Sequence, residues 1–319
     1  RTRSRRAVNR ALRESNKHLE RVILMKNVGL DSHNVEPLTF REGLPLLGAF
    51  TAFMAIFLAG WTAYVTPTLQ NVFGLSSTDP WRVVLNLFPG VIMLSVGYGV
   101  LRLEGIRSRN VGFSWPHARS GTVWFVGIIV VLNVLLLLVA VVTGGQLSWS
   151  YSDLTPILII VYALINWVFV GIAEELVARA YMQNKLIALL GGGQSRFRKA
   201  LAIVVAAVLF ALWHVPQRLL VAGLDVSQLP VNLLLLLVAG LVFGVLYETT
   251  RNVIFVGLLH GAYNFAPIVA NVRYASEGSA DIQFLLLLAV AGPVVIGVWG
   301  YYRWAHDHRT SDFRPPVAG

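Results

Sequence analysis

The sequence contains no cysteine. Disulfides, thiolate metal sites and a cysteine nucleophile are therefore excluded, and the redox compartment is left undetermined. Charge is scarce too. Only 13% of the 319 residues are charged, about half the ~25% usual in soluble chains. Several catalytic signatures are missing. There is no H-E-x-x-H helix for zinc and no G-x-S-x-G nucleophile elbow. The "GLD" at 223–225 falls in an expected outer loop without a partner aspartate. No repeat suggests the inverted halves of a transporter. Residues 1–42 have no apolar stretch before Gly43, so no cleavable signal peptide is expected there, and the start at Arg1 rather than Met reads as a trimmed chain.

What is present is apolar. Hydrophobic residues make up 56% of the chain, mean hydropathy is +0.65, and several runs exceed the ~18 residues needed to cross a bilayer. Nothing shows the ten-residue alternation of a membrane barrel. The expected fold class is all-α: a polytopic membrane protein of about eight helices, bundled around a conical intramembrane cavity. The spans read as 44–66, 83–103, 121–143, 154–184, 199–217, 229–247, 252–271 and 282–303. A basic segment, 1–42, precedes the membrane domain, 43–303, and a cytoplasmic tail, 304–319, follows it. Residues 5–26 read as an amphipathic helix on the membrane surface or a solvated lead-in.

The net charge of +10 does not point to nucleic acid, because it is distributed as topology. One side receives residues 1–42, the Arg102–Arg119 loop, the Lys185–Lys199 loop, Arg251 and the tail. The other receives Arg82, Arg218 and Arg273, with Asp79, Asp153, Asp225, Glu277 and Asp281. The positive-inside rule then makes both termini cytoplasmic.

Ionisable residues inside a membrane cost roughly 2.5–3.5 kcal/mol each at the helix centre. Here they cluster. Glu174, Glu175 and Arg179 follow a seventeen-residue run, "LTPILIIVYALINWVFV", that holds no charge; His214 sits on the fifth span, and His260 and Asn264 on the seventh. Glu175 and Arg179 are four apart and can pair on one face. Glu174 lies about 140° around a 3.6-residue helix from Arg179, which leaves it the better reactive carboxylate. Pro216, two residues after His214, should end or kink the fifth span. A carboxylate and a histidine can deprotonate a water, and a second histidine and an amide can stabilise an oxyanion. Two histidines and a glutamate are equally a zinc ligand set, here Glu174, His214 and His260.

The motifs "EELVAR" at 174–179, "FALWH" at 210–214 and "HGAYN" at 260–264 resemble the E-E-x-x-x-R, F-x-x-x-H and H-x-x-x-N pattern of the CPBP (CAAX protease and bacteriocin-processing, or Abi) family of intramembrane endopeptidases, which includes the type II CAAX prenyl endopeptidases. The approach to the third motif also fits, with Gly240 and Gly244 spaced for close helix packing. The resemblance covers about 150–270. It implies a catalytic base at Glu174, a water-holding His214, an oxyanion site at His260 and Asn264, and an organising pair in Glu175 and Arg179. Its members are described both as metalloproteases and as glutamate-dependent, so zinc stays open. The implied partners are the lipid bilayer and a peptide or protein substrate, with a prenylated tail or a leader peptide among the candidates. The alternatives are a non-catalytic peptide-binding scaffold for immunity or signalling, and a proton-coupled transporter. The three charges are expected to line a cavity reached from the cytoplasmic side. One point of geometry strains these spans. At about 1.5 Å per residue, His260 lies ~12 Å from the inner end of its span and His214 ~21 Å from its own, so the spans must tilt or start at different depths.

Overall fold

The computed structural model describes residues 38–76, 79–143, 146–149, 151, 153–191, 195–220, 223–266 and 270–273. Among these, six helices are long and apolar enough to cross a membrane. They are α1 (Leu44–Val72), α2 (Pro80–Leu103), α3 (Trp115–Thr143), α4 (Pro156–Leu189), α5 (Arg196–Leu220) and α6 (Leu229–Thr250). A shorter helix, α7 (Val253–Asn264), completes the described helical set. The expected eighth span, the 5–26 helix and the tail lie outside the described residues.

The outer surface is built for lipid. α3 turns Val123, Val130, Val134 and Val142 outward, and Val142 is 84% exposed. In water such a face would be a liability, but in hydrocarbon it is ordinary solvent contact. The inner face belongs to α4, which packs against α2, α5, α6 and α7. Every residue from Glu175 to Ile187 is buried.

Local sequence sets the helix ends. Pro156 opens α4 in the first turn, where its missing N–H costs nothing. Asn252 caps α7 by accepting from the Phe255 N–H at 3.0 Å. It also donates to the His117 carbonyl at 3.0 Å and Ser120 Oγ at 3.2 Å, pinning the start of α7 to α3. α5 breaks at His214, and residues Val215–Leu220 form a separate turn-and-a-half. That is the effect expected of Pro216, which lacks an N–H and clashes with the preceding turn.

One expectation needs correction. The seventh span is not a 252–271 crossing. α7 has 12 residues, about 18 Å of helix, against a hydrocarbon core of about 30 Å. Phe265 is extended, and Ala266 precedes Pro267, a position biased away from the helix. The all-α class holds, with one short ribbon beside the helices among the described residues. Gln146–Trp149 (β1) pairs antiparallel with Ala270–Arg273 (β2), Gln146 opposite Arg273, forming a small ribbon at one end of the bundle.

Candidate active site

The site begins with the local geometry of α4. This helix is π-helical over Ile165–Ile172 and again over Leu176–Gln183, with a three-residue α segment, Ala173–Glu175, between them. Wider π turns inside long helices are rare and concentrate at functional sites. The two glutamates sit at this junction. Glu175 is buried, and its Oε2 accepts from Arg179 Nε at 2.8 Å. The expected i,i+4 pair therefore forms despite the altered helical period. Arg179 is fully buried, and its guanidinium lies 5.0 Å from the Phe210 ring centroid.

Glu174 faces the other way. Its Oε2 is buried with no hydrogen-bond partner, and two imidazoles point at it. His214 Nε2 lies 3.6 Å away and His260 Nε2 3.7 Å away. Both distances exceed a direct hydrogen bond. The opposite ring nitrogens are committed. His214 Nδ1 lies 2.8 Å from the Phe210 carbonyl, which can only accept, so Nδ1 carries the proton. This explains the F-x-x-x-H spacing physically. α5 ends here, His214 N–H bonds Ala211 instead, and the Phe210 carbonyl is left for the ring. His260 Nδ1 lies 2.8 Å from Glu175 Oε1. In the neutral rings both Nε2 atoms are then acceptors, so with Glu174 ionised three acceptors converge on one point. Such a point calls for a donor, and a water is the smallest that serves.

His260 is stacked on Phe243, centroids 5.1 Å apart, with the Phe210 edge against it at 5.8 Å. The sequence placed it as an oxyanion donor beside Asn264. The structure adds that it bridges the two glutamates. Asn264 lies one turn further, exposed, at the end of α7. The uneven depths of the histidines are resolved as well. His214 is 18 residues into α5 and His260 seven into α7, counted from Arg196 and Val253. They meet on one carboxylate although they lie at unequal distances from the starts of their helices.

Zinc would require Glu174, His214 and His260 to close around one ion. Each contact alone is close to the spacing of neighbouring zinc ligands, about 3.4 Å for bonds of 2.0–2.1 Å. Even so, no group of three or more His, Asp or Glu side chains among the described residues is arranged to hold a metal ion.

Glu174, His214, His260 and Asn264 line a cavity of about 220 Å³ together with Trp61, Trp213 and Arg218. These last three were not singled out from sequence. The Nε1–H groups of Trp61 and Trp213 and the Nε–H of Arg218 are buried without a partner. A buried donor without a partner is costly to leave so, and its residue lining a cavity makes it a candidate to hold a ligand carbonyl or carboxylate. Trp213 is adjacent to His214 and Arg218 is one turn beyond it, and that spacing was the available signal.

Multi-pass helices, a sunken carboxylate and paired imidazoles define an integral membrane protein with a hydrolase-like site. Comparison with known families agrees. Residues 156–266 match the family model described as type II CAAX prenyl endopeptidase Rce1-like. This segment, about a third of the chain, carries every motif residue. No curated protein and no solved structure matches the chain.

Proposed function

We propose that this protein is an intramembrane endopeptidase that hydrolyses a peptide bond of a membrane-associated substrate with a water activated by Glu174. One observation carries the reading: the orphaned Glu174 Oε2 faces two imidazole Nε2 atoms inside a cavity. Glu174 takes a proton from the water while His214 Nε2 orients it. The hydroxide adds to the scissile carbonyl carbon. The Asn264 amide donates to the oxyanion that forms, and His260 joins it once its Nε2 has taken up a proton. The intermediate collapses, the C–N bond breaks, and the proton held by Glu174 passes to the leaving amine. Glu175 and Arg179 fix His260 from behind and do not touch the reacting atoms. Trp61, Trp213 and Arg218 offer donors to the substrate backbone.

The test is a mass-spectrometric comparison of new peptide termini in membranes carrying the wild type or Glu174→Ala at matched expression. Termini formed only by the wild type support proteolysis and name the substrate. Identical termini in both samples, with both proteins folded, overturn it. Repeating the assay with a chelator separates the two mechanisms: unchanged cleavage supports the metal-free one, and loss of cleavage supports zinc held by Glu174, His214 and His260.

A further inference from the structure

The cavity does not open where the basic loops lie. Several ties mark the basic end of the bundle. Lys185 on α4 donates to Glu104 Oε1 after α2 at 2.5 Å, and Glu104 Oε2 accepts from the Glu42 N–H at 2.9 Å. Lys199 on α5 meets Glu248 on α6 at 2.8 Å, and Arg251 reaches Asn184 at 2.9 Å. The loops that sequence assigns to the arginine- and lysine-rich side therefore do assemble at one end.

Between that end and Glu174, α4 is sealed. Glu175 to Ile187 is buried without interruption, whereas most of the helix before Glu174 is partly or wholly exposed. The cavity lining comes from the opposite ends of the helices. It uses Thr62 late in α1, Asn86 early in α2, Phe169 before Glu174, Gln217 after His214, Leu236 early in α6 and Asn264 at the end of α7. Of these, Asn86, Gln217 and Asn264 are exposed and mark the mouth. Among the described residues that end carries Arg82, Arg218 and Arg273 against Asp79, Asp153 and Asp225, with no positive excess.

The positive-inside rule makes the basic end cytoplasmic. We propose that the mouth faces the non-cytoplasmic side, so the substrate is a peptide segment presented there, by an exported or membrane-anchored protein. This rests on the endopeptidase reading for the word substrate, but the sidedness does not. It reverses the expected cytoplasmic entry, and it removes a prenylated cytoplasmic tail from the candidates.

The cysteine-free chain makes single cysteines clean reporters. Gln217→Cys and Asn86→Cys stand at the mouth, and Arg109→Cys stands exposed at the basic end. Intact cells producing each full-length variant are treated with a membrane-impermeant maleimide, before or after permeabilisation. The expected result is labelling of both mouth variants in intact cells, and of Arg109→Cys only after permeabilisation. The opposite pattern, or mouth cysteines that react only after permeabilisation, overturns the proposal. Two mouth positions guard against one substitution disturbing the fold. Because the readout is labelling, sidedness stands if no cleavage is found, and proteolysis stands if sidedness fails.

Discussion

Two adjacent glutamates in different surroundings give the sharpest contrast at the residue scale. Glu174 is orphaned in the cavity and Glu175 is locked between Arg179 and His260. Glu174→Gln should lower turnover by about 10²–10⁴, the usual worth of a general base, with the melting temperature unchanged. Glu175→Gln should behave in the reverse order. It strips the carboxylate from a buried guanidinium, and breaking a buried pair costs about 3–5 kcal/mol, visible as a lowered Tm in detergent. Equal Tm losses in both would show that the pair is not divided this way. Arg218→Met should raise KM with little change in kcat if, as proposed, Arg218 holds bound substrate and sits outside the proton path. The pairing of Glu175 with Arg179 was legible in sequence, since Arg179 can reach only one of the two glutamates well. The bridge from His260 to Glu175 was not, because spacing along one helix says nothing of which neighbour faces it.

Glycine decides the packing between elements. A Cβ on Gly171 of α4 would stand 2.1 Å from the Gly257 carbonyl oxygen, and one on Gly261 would stand 2.4 Å from Trp167 Cα. Backbone therefore rests on backbone where α7 crosses α4, as small residues four apart permit. This contact sets His260, between those two glycines, against the glutamates. Gly261→Ala should force the helices apart, costing about 1–3 kcal/mol of overpacking and most of the activity. Gly127→Ala on α3 has nothing within 4 Å and should be neutral or slightly stabilising in the same Tm and turnover assays. Gly240 and Gly244 were readable as packing positions, and a Cβ on Gly244 would indeed meet Ile203 at 2.9 Å. Gly257 and Gly261 were not readable in this way, because the backbone they meet, Ile172 and Trp167 of α4, is fixed only by how the two helices cross. The length of α7 was misread for a related reason. Apolar residues continue past Asn264, and hydropathy cannot distinguish a helix from the extended chain that follows.

Across the whole molecule, the alternation of loop charge was legible and the fate of individual charges was not. Lys185 and Glu104 read as loop residues, yet both side chains are fully buried. Lys185 also reaches the Glu42 carbonyl and lies 4.8 Å from the Phe40 ring centroid. Tyr181 donates to Glu104 at 3.3 Å. This knot joins the chain before α1, the turn after α2 and the inner end of α4, and it closes the basic end behind the site. A plug of this kind should be structural rather than catalytic. Lys185→Met leaves Glu104 charged and buried without its cation, and should cost about 3–5 kcal/mol. The double variant Lys185→Met with Glu104→Met removes both charges and should recover part of that loss, since apolar replacements of a whole buried pair are often tolerated. Turnover per folded molecule should stay within about twofold of wild type in both, because neither residue lines the cavity. If the single variant unfolds no more readily than the double, the knot does not hold the basic end shut, and the burial of α4 behind Glu174 must be secured by packing alone.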